Sequence, residues 1–170
     1  MKKIVLAFLG IAALITVSLY AHYNYKYHYS PKKAVDVDGI LNYQMPYVIE
    51  RCKKDHGYDD EDMAIIEREF KRYLVLVAEK KQKGEGTGMF SKHVDNLWHT
   101  FILFTREYTE FGNKYVGRYI HHAPEVVSFE NRTPEQRAQS RKDFQAFVKN
   151  YEETFKEEIH SIWFLDMCEA

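Results

Sequence analysis

Asp95 and His99 lie four residues apart in VDNLWHTFILFTREY (residues 94–108), a stretch that is otherwise apolar almost all the way round a helix. Side chains at that spacing share one helix face, so a carboxylate and an imidazole would leave an apolar element in the same direction. A buried charge is very costly unless it is paired or hydrogen-bonded, so Asp95 needs a partner, and His99 is the nearest. Downstream, GRYIHHAPE (117–125) supplies two more imidazoles, His121 and His122. If that turn folds back on the helix, one carboxylate meets two or three imidazoles. That donor set suits zinc or another divalent first-row transition metal. Three roles are open to this polar face. It can be a structural hydrogen bond that fixes the helix against the His-His turn. It can hold a metal. Or His99 can act as a general acid or base with Asp95 orienting it, although no nucleophile accompanies the pair.

Other spacings carry less. Glu157 and His160 have the separation of a di-iron ligand pair, but the chain lacks the second such motif that a di-iron bundle requires. Cys52 and Cys168 match no CxxC spacing, which excludes zinc held by cysteines; they can form one disulfide or remain two thiols. Cys52 and His56, four apart on a charged segment, read as surface residues. Arg106 and Glu110 read as an ordinary helix ion pair. The glycines of KGEGTGMF (83–90) follow a helix rather than a strand and miss both phosphate-binding patterns, so this piece is a connector.

The elements that must position the polar face are helices. Ser91 caps one that runs from Lys92 to about Tyr115, with Gly117 ending it. Asp59 or Asp60 caps another over residues 60–81, whose Met63, Ile66, Phe70, Tyr73, Leu74 and Val77 follow helical spacing. A shorter helix starts near Pro46. Thr133-Pro134-Glu135-Gln136 is a capping box for a helix to about Glu158, with Phe144, Phe147, Val148, Tyr151 and Phe155 as its buried stripe. IHSIWFLDMC (159–168) is apolar enough to dock on the core. The expected fold is mainly α: a compact helical domain over residues 35–170, built around a buried central helix at 92–115 and wrapped by the helices at 60–81 and 133–158.

Residues 1–23 form a different kind of segment. After Lys2 and Lys3 no charge occurs from Ile4 to Ala21, about the minimum length for a membrane-spanning helix. The run exceeds the usual apolar core of a cleavable signal, and a cut after Ala21 would put Leu19 where a small residue is wanted. An N-terminal transmembrane anchor is therefore expected ahead of a signal segment. Residues 24–34 follow as a juxtamembrane tether, part of a tyrosine- and lysine-rich stretch of the kind headgroups favour. Basic residues balance across the run, so orientation rests on the short basic N-terminus, which leans towards an extracytoplasmic domain on a single-pass membrane protein. A net charge of −1 with bases and acids interspersed gives no nucleic-acid footprint.

The stretch SKHVDNLWHTFILFTREYTEFGNKYVGRYIHHAPE (91–125) resembles the core of the glycine-rich-domain-containing-protein-like family. The resemblance is carried by Val94, Asp95, Trp98, His99, Ile102, Leu103, Tyr108, Phe111, His121, His122 and Pro124. It implies a helical fold with Trp98, Tyr108 and Pro124 as structural positions and the Asp/His/His cluster as a site, but no reaction. Relatives often have proline at position 90 and cysteine at 112, where this chain has Phe90 and Gly112.

Two function classes follow. The first is a binding or interaction module displayed at a membrane, with a protein partner and no catalysis. The second is a metal-binding protein or metal-dependent enzyme that uses Asp95, His99 and His121 or His122, with a divalent transition metal such as zinc as its cofactor. A common meeting point for their ligand atoms would separate the two.

Overall fold

Asp36, Asp59, Ser91 and Thr133 each begin a helix by capping its first turn. The computed structural model describes residues 15–20, 34–123 and 131–164. The chain divides into two units, Met1–Lys33 and Ala34–Ala170. In the first, residues 15–20 are helical, and Ile15, Val17, Leu19 and Tyr20 are exposed. The rest of the expected anchor and nearly all of the tether lie outside the described residues. Among the described residues no helix is long and apolar enough to cross a membrane.

The second unit opens with α1 (Val37–Leu41), capped by Asp36, whose carboxylate accepts from the Gly39 N–H at 2.8 Å. Helix α2 (Pro46–His56) carries proline in its first turn, where a missing N–H costs nothing. Helix α3 (Asp60–Lys83) is capped by Asp59, which accepts from the Asp62 N–H at 2.9 Å. Its first turn is acidic and its last basic, each matching the local end of the helix dipole. Helix α4 (Lys92–Leu103) is capped by Ser91, as the sequence led us to expect. It is followed by α5 (Thr105–Phe111), a π-helical turn (Gly112–Val116), α6 (Pro134–Phe155) and a 3-10 turn (Ser161–Trp163). Thr133 and Gln136 form the reciprocal capping box at the start of α6. The unit is mainly α, and no strand occurs among the described residues.

Three features differ from the expected ones. The helix expected over 92–115 breaks at Phe104 (φ −84°, ψ 64°). Phe101 and Phe111 explain why: their ring centroids are 5.5 Å apart, whereas ten residues of straight helix would separate them by about 15 Å along the axis. The break folds the second half back so that Tyr108 and Phe111 meet Phe101 in one cluster. The centre of the core is α3 rather than α4. Residues 73–78 of α3 are buried all round the helix, with α1, α2 and α4 packed against it. Helix α6 touches α3, through Phe147 on Tyr73. It ends at Phe155, where Lys156 takes a left-handed conformation (φ 55°) and turns the chain. Beyond that turn Ile159, Ile162 and Trp163 are buried, so the apolar tail docks.

Phe90, one of the two departures from the resembled pattern, packs on Phe144 and Phe147 of α6 at 5.3 Å each. Cys52 is a fully buried free thiol, its ionisation suppressed chiefly by that burial. A pairing with Cys168 lies outside the described residues.

Candidate metal centre

The register of α4 puts Asp95 and His99 on one face and turns Trp98, 3% exposed, into the core. The Trp98 Nε1–H donates to the Tyr108 hydroxyl at 2.9 Å, and that hydroxyl donates to the Ile120 carbonyl at 2.7 Å. These two bonds draw the chain after the π-helical turn back across α4. Gly117 starts the return in a left-handed conformation (φ 80°) that favours glycine. The Arg118 N–H closes onto the Gly112 carbonyl at 3.1 Å.

The return delivers His122, not His121. The His122 ring lies against the Trp98 ring, centroids 4.1 Å apart. Its Nε2 is 2.7 Å from His99 Nε2 and 3.3 Å from Asp95 Oδ1. His99 Nε2 is 3.7 Å from Asp95 Oδ2. Asp95, His99 and His122 thus offer one ligand atom each within 4.8 Å of one another. His121 is exposed and faces the Tyr119 ring, centroids 4.9 Å apart. Pro124 lies outside the described residues.

Exposure grades from back to front: the side chain of His122 is 10% exposed, Asp95 27% and His99 50%. The site therefore has a wall of Trp98 and His122 and an open side at His99. Burial pushes the His122 imidazole below its ordinary pKa; the Asp95 carboxylate pulls the other way and His99 adds to the lowering. The result favours a neutral ring, the form in which histidine ligates metal. Behind the site, burial first and the Asp95 charge second push the Tyr73 phenol upward.

A structural hydrogen bond between Asp95 and His99 is not made, since 3.7 Å is too long for one. Asp95 Oδ1 is buried and has no hydrogen bond among the described residues. Buried acceptors are nearly always satisfied, so the lone pairs of this oxygen are the feature a metal ion would use. Ligands about 2.0–2.1 Å from a tetrahedral zinc lie about 3.3 Å from one another. The Asp95 Oδ1–His122 Nε2 distance of 3.3 Å matches that figure, whereas His99 Nε2 lies 3.7 Å from the other carboxylate oxygen and the two imidazoles would have to part from 2.7 Å. At 2.7 Å the two ring nitrogens share a single proton, whose place a cation could take.

A family model, UCP032817-like, matches residues 27–160. The chain belongs to that family. It is an uncharacterised one, and it stands in place of the glycine-rich-domain-containing-protein-like family that the signature resembles. No curated protein and no solved structure matches the chain. The UCP032817-like span contains Asp95, His99 and His122 and starts after the apolar run at residues 4–21.

Within that span lies a second buried polar cluster. Glu69 of α3 is fully buried and accepts from the Tyr151 hydroxyl at 2.7 Å and Trp163 Nε1 at 2.9 Å on one oxygen. Its other oxygen accepts from Arg68 Nε at 3.0 Å. Arg72 donates to the Tyr151 hydroxyl and to Glu157, both at 2.7 Å. This network fastens α6 and the docked tail to α3. It also occupies Glu157, one half of the spacing that suggested a di-iron ligand pair.

Proposed function

We propose that this chain binds one divalent transition metal ion, with zinc the first candidate, through Asp95, His99 and His122. The observation that carries the reading is Asp95 Oδ1: a buried carboxylate oxygen without a hydrogen bond among the described residues, 3.3 Å from one of two imidazole nitrogens that crowd one another. Two histidines and one carboxylate with an open side form the donor set of catalytic rather than structural metal sites, because a position is left for water. When bound, such an ion supplies Lewis acidity and an activated water. Trp98 and Tyr108 serve as positioning residues that hold His122 against α4.

We further propose that the domain is displayed at a membrane by residues 1–23. The uncharged run from Ile4 to Ala21, the tyrosines and lysines after it, and the exposed apolar side chains at 15–20 support this reading.

Metal content tests the site. The full chain, without a histidine tag, is stripped with chelator, dialysed against zinc and analysed by mass spectrometry beside Asp95→Asn, His122→Ala and His121→Ala. We expect one zinc per chain in the parent and in His121→Ala, and loss in the other two. A folded parent without metal, or metal retained by both site variants, would overturn the reading and leave the interaction-module alternative.

A further inference from the structure

Helix α6 packs on α3 through Phe147 and Tyr151. Beside that packed face runs a groove of about 480 Å³. Arg141, Phe144, Gln145, Val148, Lys149 and Glu152 of α6 line it, and Phe164 of the docked tail closes one side. Its floor is apolar. Phe144 and Phe164 meet edge-on with centroids 5.3 Å apart, and Val148 is half-buried. Phe164 nevertheless remains 37% exposed. The charges stand at the two ends of the groove. Lys149 already has Glu153 3.8 Å away. Arg141 and Glu152 are exposed, and neither side chain has an ion pair or hydrogen bond among the described residues.

The order of these residues is self-complementary. Arg141 lies as far before the midpoint between residues 146 and 147 as Glu152 lies after it. The same holds for Phe144 with Lys149 and for Gln145 with Val148. At about 100° and 1.5 Å per residue, Arg141 and Glu152 come about 20° apart around the axis and about 16 Å apart along it. A second α6 laid antiparallel across the groove, with a two-fold axis at that midpoint, therefore sets Arg141 of each copy opposite Glu152 of the other. Val148 meets Gln145, and the aliphatic stem of Lys149 covers the Phe144 ring. A parallel pairing in the same register would set Arg141 against Arg141 and Glu152 against Glu152.

We propose that this face of α6 is a self-association surface. Two copies of this chain pair antiparallel across the groove as a two-fold dimer, with an Arg141–Glu152 ion pair at each end and Val148 and Phe164 covered between them. None of these residues belongs to the metal centre, so either reading can fail while the other stands.

The test is sedimentation equilibrium of the full chain in detergent micelles, over a concentration series reaching about 0.1 mM. Arg141→Glu, Glu152→Arg and an equimolar mixture of the two are run beside the parent, with helix content checked by circular dichroism. We expect a monomer–dimer equilibrium in the parent. Each variant alone should associate about ten-fold or more weakly, because like charges meet at both ends. The mixture should recover dimer, because each end of the mixed dimer again sets an acid against a base. Loss of a contact within one chain would not be repaired by mixing. A monomeric parent at every concentration would overturn the proposal and leave the groove to residues 165–170 or to another protein. A dimer indifferent to both variants, as pairing through residues 1–23 would give, or a mixture that stays monomeric, would also overturn it.

Discussion

The Tyr108 hydroxyl donates to the carbonyl of Ile120 at 2.7 Å, two residues before His122. The same oxygen accepts from Trp98 Nε1 at 2.9 Å. One phenol therefore links the inward face of α4 to the segment that returns across it. Tyr108 also rests edge-on against Phe101, centroids 5.1 Å apart, which is possible because the helix breaks at Phe104. The kink, the phenol and the position of His122 form one chain of cause.

Tyr108→Phe keeps the ring and removes that link. It leaves the Trp98 N–H and the Ile120 carbonyl without their partner in the core. Each unsatisfied group costs about 1–3 kcal/mol, so the denaturant midpoint should fall without a change of slope. Zinc affinity should drop by about 10–100-fold, as for other supporting-shell changes. A variant as stable as the parent, with unaltered zinc titration, would show that the return segment is held by other contacts.

Glu69 should be the most sensitive polar position in the unit. Glu69→Ala leaves the Tyr151 hydroxyl and Trp163 Nε1 without their acceptor and Arg72 without its buried counter-charge, 3.8 Å away. Breaking one side of a buried charged network costs about 3–5 kcal/mol. Glu69→Gln keeps an acceptor oxygen and should lose less. Equilibrium urea unfolding of the three proteins checks the order, parent above Gln above Ala.

The sequence displays helix starts well because caps are local chemistry. Asp59, Ser91 and Thr133 each bond an N–H within three residues, and each begins the helix it was expected to begin. The break at Phe104 has no local signal; it follows from aromatic closure between residues ten positions apart. The choice between His121 and His122 is equally non-local, since the Tyr108–Ile120 bond decides which imidazole faces α4. Glu69 leaves a trace that can be read: it falls three residues after Ile66 and four before Tyr73, inside the apolar stripe of α3. An acid at such a position implies donors brought from elsewhere in the chain.

The buried phenols set an alkaline limit. Burial, as the largest cause, pushes both Tyr108 and Tyr151 up to about 12. An unfolded tyrosine ionises near about 10. A raised folded value means the native state holds the proton more tightly. Its stabilising contribution is complete below pH about 10 and is lost as pH rises towards about 12. Melting temperature should fall across that window, together with a rise in phenolate absorbance. Tyr108→Phe should remove part of the pH slope. A flat melting curve across the window would contradict burial of these hydroxyls.

Gly112 marks the tightest backbone approach in the returning segment. Its conformation is ordinary helical (φ −58°), so the demand is for space and not for unusual torsion. A Cβ added there would lie 2.7 Å from the Arg118 carbonyl oxygen, a backbone atom that cannot swing aside. Gly112→Ala should therefore cost about 1–3 kcal/mol, the usual penalty for overpacking. It should also weaken zinc binding, because relief of the clash moves the segment leading to His122. Gly86→Ala, in the connector before α4, meets nothing within 4 Å and should change stability by less than about 0.5 kcal/mol. Thermal melts of the two variants, with a zinc titration of the first, separate these outcomes. If Gly112→Ala matches Gly86→Ala in both, the π-helical turn does not set the position of His122.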